Sequence, residues 1–71
     1  MDVDPLVDAV RRELARDATT TDLVLEVSAD NGVVTLRGTV PNLADTDNAL
    51  AVAGRVPGVD DVVDEIEVEG S

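Results

Sequence analysis

The sequence predicts an α+β domain whose elements follow the order helix, strand, strand, helix, strand. Apolar residues recur at helical spacing over residues 5–17 and 43–56, which is typical of helices with one buried face. With 71 residues, the chain is expected to form a single domain with a small core. Apolar and polar residues alternate, as in half-buried strands, over 23–29, 33–40 and 62–68.

The first helix has clear start signals. Asp4 is a suitable N-cap, and Pro5 suits the first helical position because no N–H is needed there. The later turns carry three arginines, a charge favoured near the negative end of the helix dipole. This arginine cluster is either a solvated helix face or a face that binds anions. Its members are Arg11, Arg12 and Arg16.

An Asn-Gly pair, Asn31 and Gly32, separates the first two strands. Type I′ turns need positive φ at both central residues, and these two residue types supply it. Such a turn pairs Asp30 with Val33 and sets the register of the whole hairpin. The sequence therefore specifies how these two strands pair.

This register divides the hairpin into two faces. The inner face is apolar and extends to Leu23 opposite Val40, whereas the outer face pairs Glu26 with Arg37 and turns Val24 outward. A slip of one residue would mix the two faces, so the pattern favours this pairing over its neighbours.

Gly38 stands on the inner face of the hairpin, where a side chain is expected. Either a helix approaches the sheet closely at this point, or the strand bulges there. Neither interpretation is catalytic, because a single glycine does not make a phosphate-binding loop.

The second helix has a start signal and a stop signal. Asn42 can cap its first turn, and Pro57 with Gly58 ends it. Leu43 and Leu50 lie beside its apolar face, where they are expected to pack against the other helix and not to form an exposed patch, which is the alternative.

The last strand alternates between apolar and acidic residues. Val62, Ile66 and Val68 are expected to point inward, and Val63 to point outward among the glutamates. The charges would keep an edge strand from pairing with other chains. This acidic cluster makes a poor metal site, because it lacks the spacing and central glycine of a calcium-binding loop.

Missing residue types exclude most enzyme chemistry. The chain has no Cys and no His, so it lacks thiolate nucleophiles, zinc–thiolate sites and the usual proton-transfer residue. We therefore expect no enzymatic activity, no cofactor and no small-molecule substrate. Aromatic residues are absent as well, so the core must be aliphatic.

The charge balance argues against nucleic acid as a partner. There are 16 acidic residues against five arginines, a formal net charge of -11, whereas nucleic-acid binding depends on basic groups. Such acidity is typical of a protein adapted to high salt, where repulsion is screened, or of an ordinary acidic protein. An acidic N-terminus and the lack of a long apolar stretch favour the cytoplasm.

Two stretches, "NGVVTLRGTV" at 31–40 and "VPGVDDVV" at 56–63, resemble the BON domain family, and the resemblance spans almost the whole chain. It implies a two-layer αββαβ sandwich, in which a three-stranded mixed sheet carries two helices on one face. The third strand would lie parallel to the second through a right-handed crossover. Asp64 departs from the family pattern, which usually has Asn there.

What the resemblance implies about function is a non-enzymatic module. BON domains are linked to phospholipid surfaces, osmotic stress and, beside another domain, potassium binding. The residues and the resemblance together favour an interaction module, associated with stress or the cell envelope in a high-salt organism.

The expected partner is an unidentified protein or a second copy of the chain. The contact would use outward-facing valines of the sheet, namely Val24, Val33 and Val63. One alternative is a phospholipid membrane surface bound through the arginine cluster. A second alternative is binding of a cation such as potassium.

Overall fold

The computed structural model describes residues 4–70, and residues 1–3 and 71 of the predicted domain lie outside the described residues. The predicted α+β fold with a mixed three-stranded sheet is confirmed. No helix between residues 4 and 70 is long and apolar enough to span a membrane. The elements are α1 (Pro5–Arg16), β1 (Leu25–Asp30), β2 (Val33–Val40), α2 (Leu43–Gly54) and β3 (Asp61–Val68).

The central strand of the sheet is β2, which pairs antiparallel with β1 and parallel with β3. Asn31 has φ 51° and Gly32 has φ 82°, as a type I′ turn requires. The hairpin therefore has the register expected from the sequence, from the Asp30–Val33 pair next to the turn to Leu25 opposite Gly38.

The first strand is shorter than the sequence predicts. It begins at Leu25, so that Leu23 and Val24 precede the ladder instead of pairing with β2. Gly38 has φ 154°, and a Cβ there would lie 2.9 Å from both the Val24 carbonyl oxygen and Leu25 Cδ2. The interpretation that a helix approaches Gly38 was therefore wrong, because the close neighbours belong to the start of β1 and to the residue before it.

Both helices begin where the sequence predicts, but their caps differ. The Asp4 carboxylate accepts a hydrogen bond from the Leu6 amide at 2.9 Å. The Asn42 side chain caps no amide of α2 and instead donates weakly to Asp45 at 3.4 Å. The second helix ends at Gly54, two residues before the predicted end.

The core lies between the helices and one face of the sheet. Buried residues of α1, β2, α2 and the turn after α2 form one cluster, and both helices pack on the same face of the sheet, α1 mainly over β1 and α2 over β2 and β3. Leu50 packs against this cluster, whereas Leu43 is 67% exposed, so the predicted packing of Leu43 was wrong. The buried apolar residues are Val10, Leu14, Val34, Leu36, Val40, Ala49, Val52, Ala53 and Val56.

Gly58 lies in the turn between α2 and β3, with φ 97°. A Cβ at this position would lie 3.1 Å from Leu6 Cδ2, at the start of α1. The glycine therefore permits both the left-handed backbone and the close approach of the first helix.

Candidate functional site

The sheet presents one face that the helices do not cover. We call it the outer sheet face. The strand registers arrange its side chains in rows that run across β1, β2 and β3. The three complete rows are Asp30, Val33 and Asp61, then Ser28, Thr35 and Val63, then Glu26, Arg37 and Glu65.

An ion pair lies in the third row. Arg37 Nε and Nη2 donate to Glu65 Oε1 at 3.0 and 2.8 Å. Donating these hydrogen bonds to Glu65 and then the charge of Glu65 raise the pKa of Arg37, and the charge of Glu26 adds to the effect. The sequence paired Arg37 with Glu26 alone, because nothing in the hairpin reveals the register of β3.

The predicted apolar surface is only partly assembled. Val33 and Val63 are 36% and 37% exposed, and they are diagonal neighbours on the outer sheet face. Val24 is 88% exposed but precedes β1, beside Gly38. Since Gly38 lies five positions after Val33 along β2, roughly 17 Å separates the two places. The structure brings together two of the three valines.

The sheet is the most acidic layer of the molecule. Its three strands contain six carboxylates and one arginine, a formal charge of -5. In α1, by contrast, three arginines outnumber Asp8 and Glu13, which gives +1. Because α2 adds two aspartates and no base, the helix layer sums to -1, so the acidity is concentrated on the sheet although α1 itself is positive.

The arginine cluster lies on the solvent-exposed surface of α1. Arg11, Arg12 and Arg16 are all exposed, and Arg16 Nη1 makes a long contact of 3.4 Å with Glu13 Oε2. Such an exposed pair contributes little to stability. The three guanidinium groups are therefore accessible to an anionic surface.

Asp17 joins the ends of the two helices. It accepts hydrogen bonds from the Thr19 hydroxyl at 2.6 Å and the Thr19 amide at 2.9 Å, and from Arg55 Nη2 at 3.0 Å. The Thr19 bonds, followed by the Arg55 bond, lower the pKa of the Asp17 carboxyl. This group has a structural role at the helix end, which the polar sequence of the connector did not indicate.

A small cavity of about 150 Å³ opens between α1, the following connector and β1. No sequence pattern predicts this cavity, because it depends on how the connector lies against β1. Thr20 at its wall is buried, and its hydroxyl donates to the Leu14 carbonyl at 2.6 Å. The lining residues are Arg11, Leu14, Ala15, Thr20, Thr21, Leu23, Leu25 and Val27.

Metal-ligating side chains do not converge on one point in the part of the chain that the structure describes. Three of the four carboxylates of β3 lie on the outer sheet face, namely Asp61, Glu65 and Glu67, and Asp64 points to the other face. Along one face of a strand, successive side chains are spaced by roughly 6–7 Å. What the described surfaces offer is binding by charge, shape and backbone groups.

Comparison with known families agrees with this architecture. The family model described as BON domain matches residues 2–70, nearly the whole chain. No curated protein matches the chain in sequence.

Proposed function

Since this chain belongs to the BON domain family, whose members are small binding domains, we propose that it acts without catalysis by binding a protein partner through its sheet. The family membership supplies the premise of a binding domain. The choice of a protein partner and of the sheet as the contact surface is our own inference from the exposed faces.

The observation that carries this proposal is the uncovered outer sheet face. Within residues 4–70, both helices pack on the opposite face. Val33 and Val63 lie beside the hydroxyls of Ser28 and Thr35 in adjacent rows of a regular sheet. A rigid surface that combines small apolar and polar groups suits a protein contact, because little side-chain entropy is lost on binding.

The charge of the sheet defines the chemistry of the partner. A formal charge of -5 over three strands favours a surface that carries Arg or Lys and opposes an acidic one. Charge attraction of this kind speeds association at low salt. It is screened within about 3 Å at 1 M salt, where direct contacts must provide the affinity.

The proposal is tested with two matched variants as baits for cell extract in multimolar KCl. Val33→Thr with Val63→Thr alters the outer sheet face while keeping residues that favour strands. Serine replacements of the arginine cluster alter α1 only. We expect one identified protein to bind the wild type and the α1 variant but not the sheet variant. The proposal would be contradicted if only the α1 variant lost the partner protein, or if the sheet variant bound it as well as the wild type does.

A membrane surface is the second candidate. The observation in its favour is that α1 carries a formal charge of +1 on a molecule of -11. Amide chemical shifts of the labelled protein should then move around Arg11, Arg12 and Arg16 when anionic lipid nanodiscs are added, and not with zwitterionic nanodiscs. An unchanged spectrum with both would eliminate this candidate.

Selective potassium binding, a stress role in a high-salt organism and a cytoplasmic location remain predictions. A selective cation site should distinguish KCl from NaCl at equal ionic strength, whereas screening treats cations of equal valence alike. The midpoint of chemical unfolding in the two salts provides this comparison.

A further inference from the structure

The sheet has two edge strands, and their free edges differ. Along β3, the amides of Glu69 and Asp61 bond to β2, so the even-numbered residues of β3 direct their backbone groups outward. The Val62 amide donates to its neighbour Asp61 and the Ile66 amide donates to Asp64, both at 2.9 Å. Carboxylates of the strand itself therefore occupy part of this edge. Four of the eight residues of β3 are acidic as well, so this edge is protected against pairing.

The edge of β1 lacks this protection. Asp30 and Val33 flank a two-residue turn and so form a hydrogen-bonded pair. It follows that Leu25, Val27 and Ala29 direct their N–H and C=O groups away from β2. No other strand in residues 4–70 pairs with them. We call these three residues the β1 edge. They offer donors and acceptors at the spacing of a strand.

The cavity beside α1 lies next to the β1 edge. Leu25 and Val27 line it, together with Leu14 and Leu23 of α1 and the connector. A strand added to the β1 edge would place alternate side chains on this side of the sheet, against the cavity. Its volume of about 150 Å³ suits an aliphatic side chain.

On the outer sheet face, the side chains next to the β1 edge are acidic. Glu26 and Asp30 are exposed there, with Ser28 between them. Side chains of an added strand on this side would therefore be favoured if they were Arg or Lys. A second copy of the chain fits this edge poorly, because it would bring the same carboxylates, and a net charge of -11, to the contact.

We propose that the β1 edge takes up an extended segment of the partner as a fourth strand, in which Arg or Lys alternates with aliphatic residues. Backbone hydrogen bonds hold the segment, the cavity selects the aliphatic side chains and the carboxylates select the basic ones. This inference rests on the proposed protein partner and adds how that partner is recognised.

The probe is an eight-residue peptide, blocked at both ends, in which Arg alternates with Val and Leu. On binding, the amides of Leu25, Val27 and Ala29 should become protected from hydrogen exchange, and their chemical shifts should move most. The proposal would be overturned by protection confined to β3, or by shifts centred on Arg37 and Glu65 without protection of β1. Either result would mean that the peptide binds by charge attraction and not as an added strand. Dimerisation of the protein without peptide would show instead that a second copy occupies the edge.

Two N-methylated peptides serve as matched controls of equal charge. One is methylated at the aliphatic residues and the other at the arginines. In an added antiparallel strand the aliphatic residues direct their backbone N–H groups toward β1, and in an added parallel strand the arginines do so. One of the two should lose binding by about tenfold or more and the other should not. Equal affinity of the two methylated peptides would overturn the proposal. This test needs no variant of the protein.

A variant pair tests the same edge in the folded protein. Ala29→Pro removes one outward N–H at an edge position where proline is tolerated, and Ala29→Val keeps it. Only the proline variant should bind the peptide more weakly, with unchanged circular dichroism. If the two Ala29 variants bind the peptide equally while the sheet variant, Val33→Thr with Val63→Thr, still loses its protein partner, the edge inference fails and the proposed function stands.

Discussion

Two buried threonines differ in one hydrogen bond, and a single type of substitution can measure that difference. Thr20 is 1% exposed, and its hydroxyl donates to the Leu14 carbonyl at 2.6 Å. Thr46 is 4% exposed, and its hydroxyl has no hydrogen-bond partner within residues 4–70. Valine has nearly the shape of threonine without the hydroxyl. The same replacement should therefore change stability in opposite directions at the two positions.

The expected magnitudes follow from these surroundings. Thr20→Val leaves the Leu14 carbonyl in the last turn of α1 without this donor, and should lower the free energy of unfolding by about 1–3 kcal/mol. Thr46→Val removes a buried polar group that nothing compensates, and should raise it by about 1 kcal/mol. Helix propensity does not interfere at Thr46, because valine and threonine rank together.

Unfolding must be followed by far-ultraviolet circular dichroism, because the chain has no aromatic residue to report on its core. Thermal midpoints should shift by roughly 4–8 °C per kcal/mol in a domain of this size. Thr21→Val is the control, since Thr21 is exposed in the same connector and should change stability by no more than about 0.5 kcal/mol. Shifts of the same sign at Thr20 and Thr46 would refute the reasoning.

Three further predictions concern glycines, pH and salt. Gly38→Ala should destabilise the fold by more than about 1 kcal/mol, because φ at Gly38 is 154° and a Cβ would meet backbone at 2.9 Å. Gly54→Ala, with open space around it, should instead stabilise α2 by about 0.5–1 kcal/mol. Thermal unfolding of the two variants tests this, and a stabilised Gly38→Ala variant would contradict the predicted backbone strain. Because the pKa of Asp17 lies below its ordinary value of 3.8, the stability it contributes is complete above that pH and is lost as the pH falls through the lowered pKa. The stability difference between wild type and Asp17→Asn should therefore vanish in acid, and a pH-independent difference would contradict this. Arg37→Gln should lower stability more than Glu65→Gln at low salt, since it leaves carboxylates on both sides, although both effects should be small because the pair is exposed. The urea midpoints of the two variants should converge in multimolar KCl, and a persistent gap would argue against a charge effect.

The hairpin shows how much the sequence could predict. Asn31 and Gly32 specify a turn that few other residue pairs adopt, and the apolar and polar residues on either side agree with only one register. Because both signals are local, the pairing from Asp30–Val33 to Leu25–Gly38 follows from about 14 neighbouring residues. The ends of α1 and α2 were predictable to within two residues for the same reason.

Features that depend on distant parts of the chain were not predictable. The pairing of Arg37 with Glu65 requires the register of β3, which is set through α2 and not by a turn. Leu43 has the spacing of a packing residue, yet it is exposed because it lies at the first position of α2. The ladder between β1 and β2 stops at Leu25 and Gly38, and the residues next to Gly38 in the sequence do not indicate this. The cavity and the free β1 edge, which carry our proposal, are likewise consequences of assembly.

The central position of β2 has a consequence for how the chain folds during synthesis. The hairpin of β1 and β2 is local and can form within about 1–10 μs, whereas β3 joins β2 only after α2 has been made. Until β3 has been synthesised and has emerged from the ribosome, the most deeply buried strand therefore has an unpaired edge that can aggregate. The eight residues of β3 then pair with β2 and replace its aggregation-prone edge with an edge lined by carboxylates.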